Sequence, residues 1–127
     1  MKNLELGGFA TMRCEDKCGI QIVSVSEEVD LYSAHRLREL IWRAKTQTND
    51  DPPSVVVNLS GVEFMDTAGL EVLLEEWNAS RQVDERMCLV APQGPARRVL
   101  EVTGLSELFD LHAELDAAVD SCALASA

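Results

Sequence analysis

Thr67 places a hydroxyl one residue after the carboxylate of Asp66, at the point where the apolar stretch around Val55-Val56-Val57 gives way to a helical pattern. A hydroxyl at a helix start faces solvent, and the nearby backbone N–H groups lie at the positive end of the helix dipole. A covalently attached phosphate is favoured in such a place. Asp66 suits the N-cap, where a carboxylate accepts N–H bonds from the first turn. On position alone a helix-start Thr is commonplace, so the chemistry has to be read together with its surroundings. Ala68 follows, so no second hydroxyl competes with Thr67.

The other chemically capable residues form no pattern. Asp66-Thr67-Ala68-Gly69-Leu70-Glu71 matches the DTAGxE string of small GTPases, but the phosphate-cradling G-x-x-x-x-G-K-[ST] segment is missing, and so is an N-K-x-D string. The match is therefore a coincidence. Cys14 and Cys18 are spaced across a predicted hairpin, Cys88 falls in a strand, Cys122 falls in the last helix, and His35 and His112 stand apart. A zinc site needs about four converging ligands, so no metal and no cofactor are expected. No Ser/His/Asp or Cys/His set has catalytic spacing, and the chain does not read as an enzyme.

The elements that position Thr67 follow from periodicity. Phe9 to Glu15 alternates weakly, Asp16 to Gly19 turns, and Ile20 to Ser26 alternates more clearly, which predicts a hairpin. Asp30 or Ser33 caps a helix over about Tyr32 to Thr46, with Leu37, Leu40, Ile41 and Ala44 on one face. Thr48 to Pro53 is a loop. Ser54 to Leu59 is a Val-rich run that suits a strand covered on both faces. A second helix spans Thr67 to Gln82, burying Leu70, Leu73, Leu74 and Trp77, and Met65 and Leu70 stand where a hydrophobic staple would brace its start. Met87 to Ala91 is a strand. Pro95 to Thr103 is a helix ended by Gly104, Leu108 to Leu111 is a short strand, and Ala113 to Cys122 is a closing helix. Trp42 and Trp77 are expected at the core or its edge. Arg97-Arg98 is expected on the wet face of its helix, with a role in partner docking open to it.

Alternating helices and strands predict an α/β architecture. The expected form is a mixed, mostly parallel sheet of four to five strands, with an antiparallel edge hairpin and about four helices. The 127 residues suffice for one domain, expected over 9–122, with 1–8 and 123–127 as flexible termini. Net charge is −11, which disfavours nucleic acid and anionic lipid and suits a basic protein surface. No apolar run spans a bilayer and no signal-peptide core is visible, so a cytoplasmic location with reduced cysteines is the default.

Phe64-Met65-Asp66-Thr67-Ala68-Gly69-Leu70, placed after a hydrophobic strand, resembles the D-[ST]-[ST]-G-[LI] signature of STAS-domain anti-sigma factor antagonists. Glu27-Glu28-Val29-Asp30 is similar to that family's G-E-[LI]-D turn. Arg97 to Phe109 is similar to its third helix and last strand. Together these cover about residues 9–120. The chain departs from the family in two places: the acceptor position holds Thr where Ser is commoner, and Glu27 replaces the Gly of the turn. The resemblance implies a STAS fold and phosphorylation at Thr67. It also implies a partner surface centred on Asp30, Asp66, Thr67, Gly69 and Leu70. The implied partner is an anti-sigma factor of the serine/threonine-kinase type, bound by the unphosphorylated form so that a sigma factor is released. A phosphatase would reset the switch, and the chain would be a monomer or weak homodimer. Other roles within the same fold are a scaffold or lipid-transport subunit without phosphorylation, or a small-ligand sensor.

Overall fold

A computed structural model describes residues 4–5, 12–17, 19–26, 28–47 and 53–126. The strands are β1 (Leu4–Glu5), β2 (Met12–Lys17), β3 (Ile20–Val25), β4 (Ser54–Asn58), β5 (Arg86–Val90) and β6 (Leu111–His112). The helices are α1 (Leu31–Gln47), α2 (Thr67–Gln82), α3 (Pro95–Val102) and α4 (Leu115–Ser126), with a 3₁₀ turn at Leu105–Glu107. All six strands form one sheet in sequence order. β1, β2 and β3 are antiparallel neighbours, and β3 through β6 are parallel.

This topology decides which side each helix covers. The parallel strands advance across the sheet in one direction, and crossovers between parallel strands are right-handed. The three crossover helices therefore fall on the same face. There Leu37, Leu40 and Ile41 of α1, Leu70, Val72 and Leu73 of α2, and Ala96 and Leu100 of α3 pack against Met12, Cys14, Val23, Val25, Val55, Val57, Met87 and Leu89. The opposite face carries Ile20, Ile22, Val56, Cys88 and Val90, covered by Ala118, Val119 and Cys122 of α4. The Val55-Val56-Val57 run is thus buried on both sides, as expected for a central strand.

The sequence reading places α1, α2 and α3 to within a residue or two at each end, and Gly104 ends α3 in the left-handed region at φ 80°. Four details differ. Leu4–Glu5, expected as part of a flexible lead-in, pairs with Arg13 and Cys14 of β2. The last strand lies at Leu111–His112, not Leu108–Leu111. The turn after Gly104 keeps the chain helical through Leu108, and Phe109 becomes a core plug, edge-on to Trp77 with ring centroids 5.5 Å apart. α4 begins at Leu115 and continues to Ser126, into the expected flexible tail. Trp42 is 63% exposed, because one residue past Ile41 it is rotated by about 100° off the buried stripe. Phe9, Ala10, Thr11, Cys18, Glu27 and the 48–52 loop lie outside the described residues. Among those described, no helix is long and apolar enough to cross a membrane.

Candidate functional site: two helix starts joined by a bridge

Thr67 is the first residue of α2 and is exposed. Its hydroxyl makes no hydrogen bond among the described residues. Asp66 is the N-cap, with its Oδ1 accepting from the N–H groups of Ala68 at 2.9 Å and Gly69 at 3.4 Å. The Asp66 carbonyl takes the N–H of Leu70. The anion-binding capacity of this helix start is thus largely filled by the Asp66 carboxylate. A further negative group on Thr67 would lie outside that ring of donors, facing solvent.

The start of α1 has the same construction. Asp30 Oδ1 accepts from the backbone N–H groups of Tyr32 and Ser33, both at 3.0 Å. The Ser33 hydroxyl accepts from the Asp30 N–H at 2.8 Å and donates to the Glu28 carbonyl. The Ser33 backbone N–H, helped by the Ser33 hydroxyl and the Tyr32 N–H, holds the Asp30 carboxyl below its ordinary value, against some desolvation. Both Asp30 and Ser33, offered as alternative caps by the sequence, act together.

A short parallel bridge joins the two helix starts. The Val29 N–H donates to the Phe64 carbonyl at 2.8 Å, and the Asp66 N–H donates to the Val29 carbonyl at 3.0 Å. Val29 and Met65, the paired residues, are buried. Gly69 lies directly beneath. A Cβ there would come within 2.6 Å of Val29 Cγ1 and 2.9 Å of Met65 Cγ, so only a glycine lets α2 approach this closely. Gly61 does the same for the loop leading to the site, where a Cβ would meet the Ser26 Cα at 2.9 Å.

The helix bodies hold the angle. Arg38 of α1 pairs with Glu75 and Glu76 of α2. Lys45, with its side chain 11% exposed, reaches Glu76 at 3.5 Å and Glu85 at 3.4 Å. Charged side chains of α1 and α2 therefore line the seam between the two helices.

Of the five residues assigned to the partner surface, the structure brings Asp30, Asp66 and Thr67 together at the surface. Gly69 and Leu70 are buried beneath it and set its shape. Met65 and Leu70 both belong to the core under the turn, where a staple would put them. Sequence reasoning missed the apolar rim: Leu31, Tyr32 and Phe64, flanking the bridge in sequence, are 64%, 80% and 51% exposed. Leu31 and Ala68 line one cleft with His35 and Val72, which puts the α1 rim beside the Thr67 turn. Leu31 and Tyr32 could have been suspected, since both lie off the buried stripe of α1. Arg97 is not on a wet face; its Nε donates to the Ala91 carbonyl at 3.0 Å, while Arg98 is exposed.

The remaining chemically capable residues divide by place. Burial pushes the Cys14 thiol up to about 11, with Asp16 and Glu15 adding to it, so this thiol is inert. His112, isolated in sequence, is not isolated in space: one ligand atom each of Cys88, Asp110 and His112 lies within 4.8 Å of the others.

The STAS domain family model matches residues 11–118. The anti-sigma-F factor antagonist RsfB of Mycobacterium tuberculosis is 30% identical over 107 residues, covering 83% of each chain. The anti-sigma-B factor antagonist of Staphylococcus aureus is 28% identical over 90 residues, 71% of this chain and 81% of that one. The crystal structure of an anti-sigma factor antagonist from Mycobacterium paratuberculosis superposes with a TM-score of 0.76 at 33% identity, covering 88% of this chain and 92% of that one.

Proposed function

Because this chain belongs to the STAS domain family, we propose that it is an anti-sigma factor antagonist switched by phosphorylation of Thr67. The unphosphorylated form binds an anti-sigma factor of the serine/threonine-kinase type, and a sigma factor is released. The kinase phosphorylates Thr67 and ends the interaction, and a phosphatase restores it. The chain performs no chemistry of its own and acts in the cytoplasm, as a monomer or weak homodimer.

The observation that carries this reading is the exposed, unbonded Thr67 hydroxyl beside the Asp66 cap, on a surface with an apolar rim. Leu31, Tyr32 and Phe64 supply apolar contact area, and Asp30 and Asp66 supply fixed charge. Phosphate would add about −1.5 to −2 charges. Since the Asp66 carboxylate already holds the Ala68 and Gly69 N–H groups, those charges gain little from the helix start. Their stabilisation there stays at or below the roughly 0.3–1 kcal/mol typical of an exposed dipole contact. The fold therefore persists, while a partner seated on the rim would have to bury an unpaired dianion, which is strongly unfavourable. Binding and modification then exclude each other. Gly69 and Leu70, in this reading, shape the contact surface from below.

The test is intact mass after incubation with the candidate anti-sigma kinase and ATP, beside a binding assay. One phosphate is expected on the unchanged chain and none on Thr67→Ala, with Thr67→Ala still bound and Thr67→Glu released. Phosphate persisting on Thr67→Ala, or tight binding by Thr67→Glu, would overturn the assignment.

A further inference from the structure

The sheet face away from Thr67 holds a pair of groups with no part in that switch. Cys88 in β5 and Cys122 in α4 are both fully buried, and their Sγ atoms are 3.0 Å apart. That is about 1 Å longer than a disulfide bond and closer than two sulfurs ordinarily rest. The shell around the pair is polar and uneven. Cys88 Sγ lies 3.2 Å from Asp110 Oδ2, the oxygen that Arg86 also holds at 3.1 Å. Arg86 reaches Ser121 Oγ on α4 at 3.2 Å, and His112 Nε2 is 2.9 Å from Asp110 Oδ1. The hydrogen bond from Cys88, with Arg86 beside it, holds the Cys122 thiol below its ordinary value against desolvation. The bond to Cys122, burial and Asp110 push Cys88 up. One sulfur is thus the better nucleophile and the other keeps its proton.

We propose that Cys88 and Cys122 form a reversible disulfide, written by a hydroperoxide, that latches α4 to the sheet. A cavity of about 200 Å³ reaches Arg86 and Asp110, so the polar shell of the thiols has an opening beside it. The Cys122 thiolate attacks a peroxide oxygen. An S–O bond forms, the O–O bond breaks, and the departing alkoxide takes up the proton that Cys122 released. The Cys88 sulfur then attacks Cys122, the S–S bond forms and the S–O bond breaks. Hydroxide leaves with the Cys88 proton as water. In sum, two thiols are oxidised and one hydroperoxide is reduced to an alcohol and water. A metal ion is the less fitting occupant, because the Arg86 cation already neutralises the one carboxylate in the cluster and would repel it.

The latch joins positions 34 residues apart. Among the described side chains of α4, Ala118, Val119 and Cys122 are buried and Leu115 partly so. A helix that packs through few described side chains opens more readily than the core, which exposes the thiols to oxidant, and the disulfide then removes that opening.

The unchanged chain is treated with hydrogen peroxide under native conditions, alkylated, and analysed by intact mass and non-reducing peptide mapping. Expected are a loss of two hydrogens, a single Cys88–Cys122-linked peptide, reversal by dithiothreitol, and a higher melting temperature of the oxidised form. Cys88→Ser should stop at a sulfenic acid on Cys122, trapped by dimedone. Thiols that stay unmodified, a link to Cys14 or Cys18 instead, or a stoichiometric metal that Cys88→Ser loses would each overturn the proposal. The mapping uses the natural sequence, so it does not depend on any variant folding.

Discussion

Gly69→Ala separates the two jobs of the first turn of α2. In an exposed helix this substitution would gain about 0.8–1.0 kcal/mol from backbone entropy and propensity. Here the added methyl would stand 2.6 Å from Val29 Cγ1 and 2.9 Å from Met65 Cγ. Comfortable carbon contacts lie at about 3.5–4.0 Å, so one or both side chains must move by about 1 Å. Val29 is fully buried and Met65 nearly so, and a β-branched valine has few other rotamers to use. Overpacking of this kind costs about 1–3 kcal/mol. Subtracting the propensity gain leaves a net loss of about 0–2 kcal/mol, readable as a lower urea midpoint with an unchanged slope. The effect on function should be larger than this suggests. Val29 and Met65 are the bridge residues, so their displacement moves Asp30 relative to Asp66 and Thr67. Affinity for the anti-sigma partner, measured by calorimetry, should fall about tenfold, the equivalent of about 1.4 kcal/mol. A variant that gains the full helix-propensity stabilisation and binds as before would refute the claim that this contact sets the site.

Asp66→Ala should lower stability by about 1 kcal/mol in denaturant melts, the usual value of a side-chain cap, since the Ala68 and Gly69 N–H groups lose their acceptor. An unchanged urea midpoint would mean the cap contributes nothing. Asp30 gives a pH prediction. Its folded-state value is depressed below 3.8, so its contribution is fully present above the unfolded value and is lost as pH falls through the lower folded value. Asp30→Asn, still a capping residue, should lower stability near neutrality and flatten the acid limb of the stability profile between the two values, leaving stability below the folded value little changed. An acid limb of unchanged slope would remove Asp30 from the account.

Much of this molecule is legible in the sequence because its signals are local. The Leu37-Leu40-Ile41-Ala44 stripe, the valine run and Pro95 each name their element, and Asp66 names the start of α2 at the residue observed. The errors have a common physical origin. Leu108-Phe109 reads as a strand by composition, yet the turn beginning at Gly104 and the edge-on seat against Trp77 decide its conformation. Trp42 reads as core or core edge because it adjoins a stripe, but one residue of helical rotation puts it outside. Gly69 and Leu70 belong to the right motif, but which side of a helix start faces water depends on the Val29–Met65 bridge, a pairing across the span of α1 and β4. The Cys88–Cys122 approach is likewise invisible from spacing, because β5 and α4 meet only when α4 folds back over the sheet.

The strand order has a consequence for how the protein is made. Among the described residues every strand lies beside its sequence neighbours, so no pairing there waits for a segment synthesised much later. The sheet can grow from one edge in the order of synthesis, each new strand adding to a finished template with its helix closing over the join. Loop closure is then met in small steps, the condition under which folding is fast. The turn carrying Thr67 needs β3, β4 and the starts of α1 and α2, all present before α4 is made. The nascent chain can therefore display Thr67 while the far face of the sheet is still uncovered.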